Sequence, residues 1–149
     1  MPMSNPEKYS GSCACGSVLF EVTGALSEVT FCHCTQCQKS SGHYVAATSA
    51  SLAKFNLIQD KSLVWFKSSE QAKRGFCSVC GSNLFWKINK EEEISIWPGA
   101  FDGPIDFQAK EHIFMSSKAD YYDIKDSLPK HDYFPGYKTP TDKYSLKRK

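Results

Sequence analysis

Three thiols fall within six residues at Cys32-His33-Cys34-Thr35-Gln36-Cys37. So dense a run of soft ligands, in a chain of ordinary composition, points first to a metal ion. The other four cysteines come as two tight pairs, Cys13 with Cys15 and Cys77 with Cys80. Together the two pairs supply the four sulfurs of a tetrahedral structural zinc site, whereas the run of three leaves one position of a second zinc open to an outside ligand. The open pattern is that of catalytic zinc. Because three thiolates blunt the acidity of the ion toward water, such a site suits another sulfur: a small thiol, held as zinc-bound thiolate, attacking an aldehyde-like carbon. Two other arrangements satisfy the same residues. The trio could be bystander thiols beside one closed site, or a second structural site whose fourth ligand comes from elsewhere.

Each pair is followed at once by glycine, Gly16 and Gly81, the residue that tolerates the positive φ a metal knuckle requires. The surplus negative charge of four thiolates around Zn²⁺ calls for backbone N–H donors, with Arg74 as a further candidate. His33 lies between two members of the trio, but alternation along an extended segment turns it to the opposite side. It is expected as a supporting or surface residue and not as a ligand.

The elements that must position these residues are mostly strands. Residues 17–23 alternate, with Val18, Phe20 and Val22 on one face and Glu21 and Thr23 on the other, and residues 29–31 form a second β segment that delivers Cys32. After Cys34, residues 35–42 suit one or two helical turns closed by Gly42, which puts Cys34 and Cys37 on one side. Further strands are expected over residues 44–49, 53–58, 63–68, 82–88, 94–98 and 111–115. Between them, 69–74 reads as a polar connection, 89–93 as a solvated hairpin loop and 99–104 as a turn cluster; 120–132 has room for one short helix. Lys39, Arg74, Tyr44, Phe85, Trp86 and Trp97 are candidates to border a substrate pocket, although aromatic residues in strands more often belong to a core.

With 149 residues, 41% of them hydrophobic and 23% charged, the chain has the composition of one globular domain. A net charge of +2 offers no field of one sign to argue for nucleic acid or a membrane surface as partner. There is no apolar run near the roughly 18 residues of a membrane span, and no leader of the secretory kind. A cytoplasmic protein with reduced cysteines is the expectation, and the odd count of seven argues in the same direction. The chain divides into a leader over residues 1–8, a domain over 9–135 and a basic tail over 136–149 that ends in Lys147-Arg148-Lys149.

The cysteine motifs and their surroundings resemble one known family. Gly11-Ser12-Cys13-Ala14-Cys15-Gly16, then Cys32 through Gly42, then Arg74-Gly75-Phe76-Cys77-Ser78-Val79-Cys80-Gly81 are similar to the glutathione-dependent formaldehyde-activating (GFA) and centromere protein V family. The similar register runs on through Ala100-Phe101-Asp102 and from His112 to Ala119. The resemblance implies a mainly β fold of several short coiled antiparallel sheets stapled by zinc knuckles, similar to zinc-containing Rab exchange factors. It implies two zinc ions per chain, with Cys13, Cys15, Cys77 and Cys80 as structural ligands and Cys32, Cys34 and Cys37 as catalytic ones. The implied activity is that of a carbon-sulfur lyase resembling S-(hydroxymethyl)glutathione synthase, with a glutathione-like thiol and a formaldehyde-like aldehyde as substrates. A reading from a different class remains: a non-catalytic, zinc-stabilised binding module or partner of a small GTPase.

Overall fold

The computed structural model describes residues 7–135, so the segments 1–6 and 136–149, most of the expected leader and all of the expected tail, lie outside the described residues. Strand formation follows the alternating pattern. In β2 (Leu19–Thr23), Phe20 and Val22 are buried while their neighbours are half-exposed. It is flanked by β1 (Lys8–Ser12) and β5 (Phe55–Gln59) in a three-stranded antiparallel sheet ordered β1-β2-β5.

The larger sheet has seven strands among the described residues. They are β3 (Val29–Cys32), β4 (Val45–Ser51), β6 (Leu63–Lys67), β7 (Ala72–Cys77), β8 (Asn83–Ile88), β9 (Glu93–Ile96) and β10 (Ala109–Ile113), in the order β10-β3-β4-β9-β8-β7-β6. All neighbours are antiparallel except β10, which runs parallel to β3. That parallel pair departs from the all-antiparallel expectation. It arises because the chain crosses the molecule before adding its last strand beside an early one.

The core lies between the two sheets. Phe20 stands edge-on to Phe85 and Phe101, with ring centroids 5.1 and 5.4 Å away, and Val18, Ala50, Leu84, Ile94 and Ile96 close around them. Opposite Phe20 in the register is Gly11, where a Cβ would fall 2.1 Å from the Phe20 ring, so only glycine fits. Cys13 and Cys77 belong to the same buried cluster, at the seam of the two sheets.

Two local expectations are corrected, and one strand is added to those expected. β1 was not foreseen as a strand; its pairing with β2, more than its own pattern, defines it. Residues 72–74 join β7 and not a polar connection, because strands on both sides claim their backbone and the Lys73 stem lies with its Nζ 4.3 Å from the Trp65 ring. Residues 120–132 form no helix; Tyr122 and Asp126 instead dock onto histidines of other elements. No helix of the described residues is long and apolar enough to cross a membrane.

Candidate metal centres and the cleft beside them

The first cysteine pair lies in the β1–β2 turn and the second at the end of β7 and the turn after it. Gly16 and Gly81 share a φ of 77°, and their amides return to the Cys13 and Cys77 carbonyls at 3.1 and 2.8 Å. The first turn closes over three residues and the second over four, and both need the left-handed conformation expected of the glycines. The sulfurs of Cys13, Cys15, Cys77 and Cys80 all lie within 4.8 Å of one another. Tetrahedral thiolate ligation of zinc places sulfurs about 3.8 Å apart; Cys13 and Cys15 are separated by 3.5 Å, and Cys15 and Cys77 by 3.8 Å. The donor set and its spacing thus fit a zinc ion. No disulfide links any of the seven cysteines.

The thiolate charge is balanced here by hydroxyls and amides. The Ser17 hydroxyl sits 2.9 Å from the Cys15 sulfur and 3.2 Å from that of Cys77, and the Val18 amide donates to Cys13 at 3.3 Å. Ser82, through its hydroxyl and then its amide, pulls the Cys80 thiol down to about 5. Ser17 and Ser82 were absent from the expected site. Their signal was adjacency: each lies two residues past a cysteine.

Arg74, expected to serve this first cluster, serves the second. Its Nη2 donates toward the Cys37 sulfur at 3.7 Å and to Gln36 Oε1 at 3.4 Å, while Nη1 reaches Ser40 at 3.3 Å. Alternation explains the change: Arg74 is paired with Trp86 on a strand and faces away from the core.

In the second cluster, β3 carries Cys32 at its end, Cys34 caps α1 (Thr35–Ser41), and Cys37 is buried within that helix. The Cys34 sulfur accepts the Cys37 amide at 3.3 Å, an N-cap made by a thiol where serine or aspartate is usual. All three sulfurs lie within 4.8 Å of one another, so strand and helix do bring the trio together. Contact with Cys32 first, and then with Cys37, lowers Cys34 to about 3, whereas contact with Cys34 and Cys37, together with burial, pushes Cys32 well above the usual thiol range. One negative charge is accepted readily and a second is resisted. A bound cation answers that demand, so this donor set also fits a soft metal ion.

The trio opens onto a cleft of about 820 Å³ whose floor is the outer face of the larger sheet. The register sets its rows: Ile113, Cys32 and Val45 lie side by side, then Glu111, Thr30 and Ala47, then Ser49, Ser95, Trp86 and Arg74. Their strand neighbours Ala50, Ile94, Ile96 and Phe85 point the other way, into the core. Of the candidate pocket residues, Arg74, Trp86 and Trp97 line this cleft. Phe85 is fully buried in the core, Tyr44 packs on His33 and Tyr122, and Lys39 lies outside the cleft lining on the last turn of α1.

His33 is neither a member of the trio nor at the surface. It is fully buried, its Nε2 is 2.9 Å from His112 Nδ1 and its Nδ1 is 2.6 Å from the Tyr122 hydroxyl. His112 Nε2 in turn donates to Asp126 at 2.9 Å. Burial, then the charges of His112 and Lys118, hold His33 down to about 4, so it is neutral near pH 7. His112, Tyr122 and Asp126 were missed because they lie some 80 to 95 residues from His33, with no local pattern to link them.

Two β-sheets meeting at a pair of cysteine knuckles, with a second cysteine cluster at a cleft, define a mainly β protein with two candidate metal centres. Residues 8–117 match the family described as glutathione-dependent formaldehyde-activating enzyme, and the chain belongs to that family. It is 24% identical over 120 residues to an uncharacterised lyase of Schizosaccharomyces pombe, an alignment covering 78% of this chain and 85% of the yeast protein. A solved Rhodobacter sphaeroides protein shares the fold with a TM-score of 0.55 and 23% identity, over 65% of this chain and 91% of that one.

Proposed function

We propose that the chain is a GFA-type lyase in which residues 9–135 form the zinc-binding domain. In it, Cys13, Cys15, Cys77 and Cys80 hold a structural zinc, and Cys32, Cys34 and Cys37 hold a catalytic one. The observation that carries this reading is the position of the trio at the edge of a cleft, while the set of four lies at the seam between sheets. The family and the yeast relative named as a lyase support the enzyme class.

A zinc ion on the trio would offer a soft fourth position at which a small thiol is ionised at neutral pH yet remains nucleophilic. The chemistry asked of the cleft is an addition. The thiolate sulfur bonds to the aldehyde carbon, the carbonyl π pair moves to oxygen, and that oxygen takes up the proton the thiol gave away. No electron is gained or lost, and the product is a hemithioacetal, for the family's named substrates S-(hydroxymethyl)glutathione. Arg74 contributes by steadying Cys37, and the apolar walls at Trp86, Trp97 and Phe114 limit water at the reacting atoms. The proposed setting is the cytoplasm, with small molecules as partners and neither nucleic acid nor membrane.

Proton exchange spectroscopy on formaldehyde mixed with a thiol, with and without the zinc-loaded protein, tests the proposal. Faster interconversion of free and adduct signals is expected with protein. Unchanged exchange across a panel of thiols would reject it.

One observation favours the binding-module reading. Val64 and Phe66 on β6, an edge strand, are 40% and 47% exposed. An apolar edge of that kind suits a protein partner such as a small GTPase.

A further inference from the structure

The cleft has a charge pattern of its own. Its charged lining consists of Glu28, Glu91, Glu93 and Glu111 against Arg74 and Lys110. Of the two cations, Lys110 is paired with Glu111 at 3.9 Å, while Arg74 has no carboxylate partner among the described residues: its guanidinium is turned to Gln36, Ser40 and the Cys37 sulfur at the end of the cleft that holds the trio, and its buried Nε makes no hydrogen bond. Glu111, one row from Cys32 in the register, is largely buried and also faces His131 at 3.0 Å. Zinc on three thiolates would add further negative charge at the reacting end.

A tripeptide thiol with two carboxylates, brought into this cleft, would meet four acids against two bases, of which Lys110 is already paired with Glu111 and Arg74 is turned to the trio and not to the acidic wall. The apolar surface tells the same story from the other side. Val45, Ile88, Trp86, Trp97, Ile113 and Phe114 supply wall and floor, and 820 Å³ is far more room than a one-carbon aldehyde and a bare sulfhydryl need.

We infer that the thiol this cleft takes is one without free carboxylates and with an apolar body, in place of glutathione. The inference rests on the thiol–aldehyde chemistry proposed above and specifies its substrate class. The acids exclude anions, the indoles and aliphatic side chains bury the organic group, and the sulfur is left to reach the trio. Since Glu28, Glu91 and Glu93 are exposed, the discrimination is strongest at low ionic strength and weakens as salt screens them.

The test compares three thiols with formaldehyde by the same exchange measurement on the zinc-loaded full chain: glutathione, glutathione diethyl ester and benzyl mercaptan. The ester keeps the peptide and masks both carboxylates. Expected is a protein-dependent rate per unit of thiol at least tenfold higher for the ester and for benzyl mercaptan than for glutathione in low salt. The ester's advantage should shrink severalfold in 0.5 M salt and in the Glu91→Lys/Glu93→Lys variant, whose changes lie on the exposed hairpin and first residue of β9. A rate for glutathione equal to or above that of its ester would overturn the inference while leaving the lyase reading intact. No acceleration with any of the three thiols would overturn the lyase reading, and the inference with it.

Discussion

Cys34 does two jobs at once. As N-cap it starts α1, and as the member of the trio lowered to about 3 it carries the charge that its two neighbours resist. Local geometry and ligand chemistry are therefore the same atoms. Cys37→Ser keeps the size of the side chain and should cost about 1–2 kcal/mol of stability, since Cys37 is buried but its own sulfur caps nothing. Elemental analysis of the variant is expected to show one metal ion fewer per chain, with an unchanged far-ultraviolet circular dichroism spectrum. An undiminished metal content would remove the trio as a metal centre.

Strands decide what each residue faces. Along β4 and β9 the alternation sends Ala50, Ile94 and Ile96 inward and Ser49, Glu93 and Ser95 outward, so one sheet builds the core and the cleft floor together. In the small sheet the constraint is tighter, because the Phe20 ring covers Gly11 across the β1–β2 pair. Gly11→Ala forces the ring aside into packed neighbours at Phe85 and Phe101, and should lower stability by roughly 1–3 kcal/mol. Urea unfolding monitored by fluorescence would measure it; a midpoint equal to that of the parent would show that β1 is not held against Phe20.

Across the whole molecule, the set of four sulfurs joins segments 62 residues apart, the β1–β2 turn and the β7–β8 turn. A metal ion shared across that span can be held only by the folded chain, so its binding free energy adds to folding. Cys80 is exposed, so Cys80→Ser buries nothing and creates no cavity, yet it should lower the melting temperature by roughly 5–10 °C, because the folded chain loses metal affinity. Calorimetry alongside metal analysis would check it. A full metal complement and unchanged melting would show that the four sulfurs do not share an ion.

The cysteine pairs were legible in the chain itself because ligand spacing, knuckle glycines and the helical turn after Cys34 are all short-range, while the meeting of the two pairs 62 residues apart was inferred from their ligand count and is made by the sheets. Turn geometry over three to five residues brings Cys13 to Cys15, Cys77 to Cys80, and Cys34 to Cys37 before any sheet exists. Strand positions were legible wherever alternation was clean, as in β2, and illegible in β7, whose polar residues gain their strand only from partners on both sides. Which cluster Arg74 serves, that His33 is buried against His112 and Tyr122, and that the cleft gathers more acids than bases were decided by tertiary structure alone. Those contacts join residues tens of positions apart, and they follow from the order and register of strands, which no local pattern encodes.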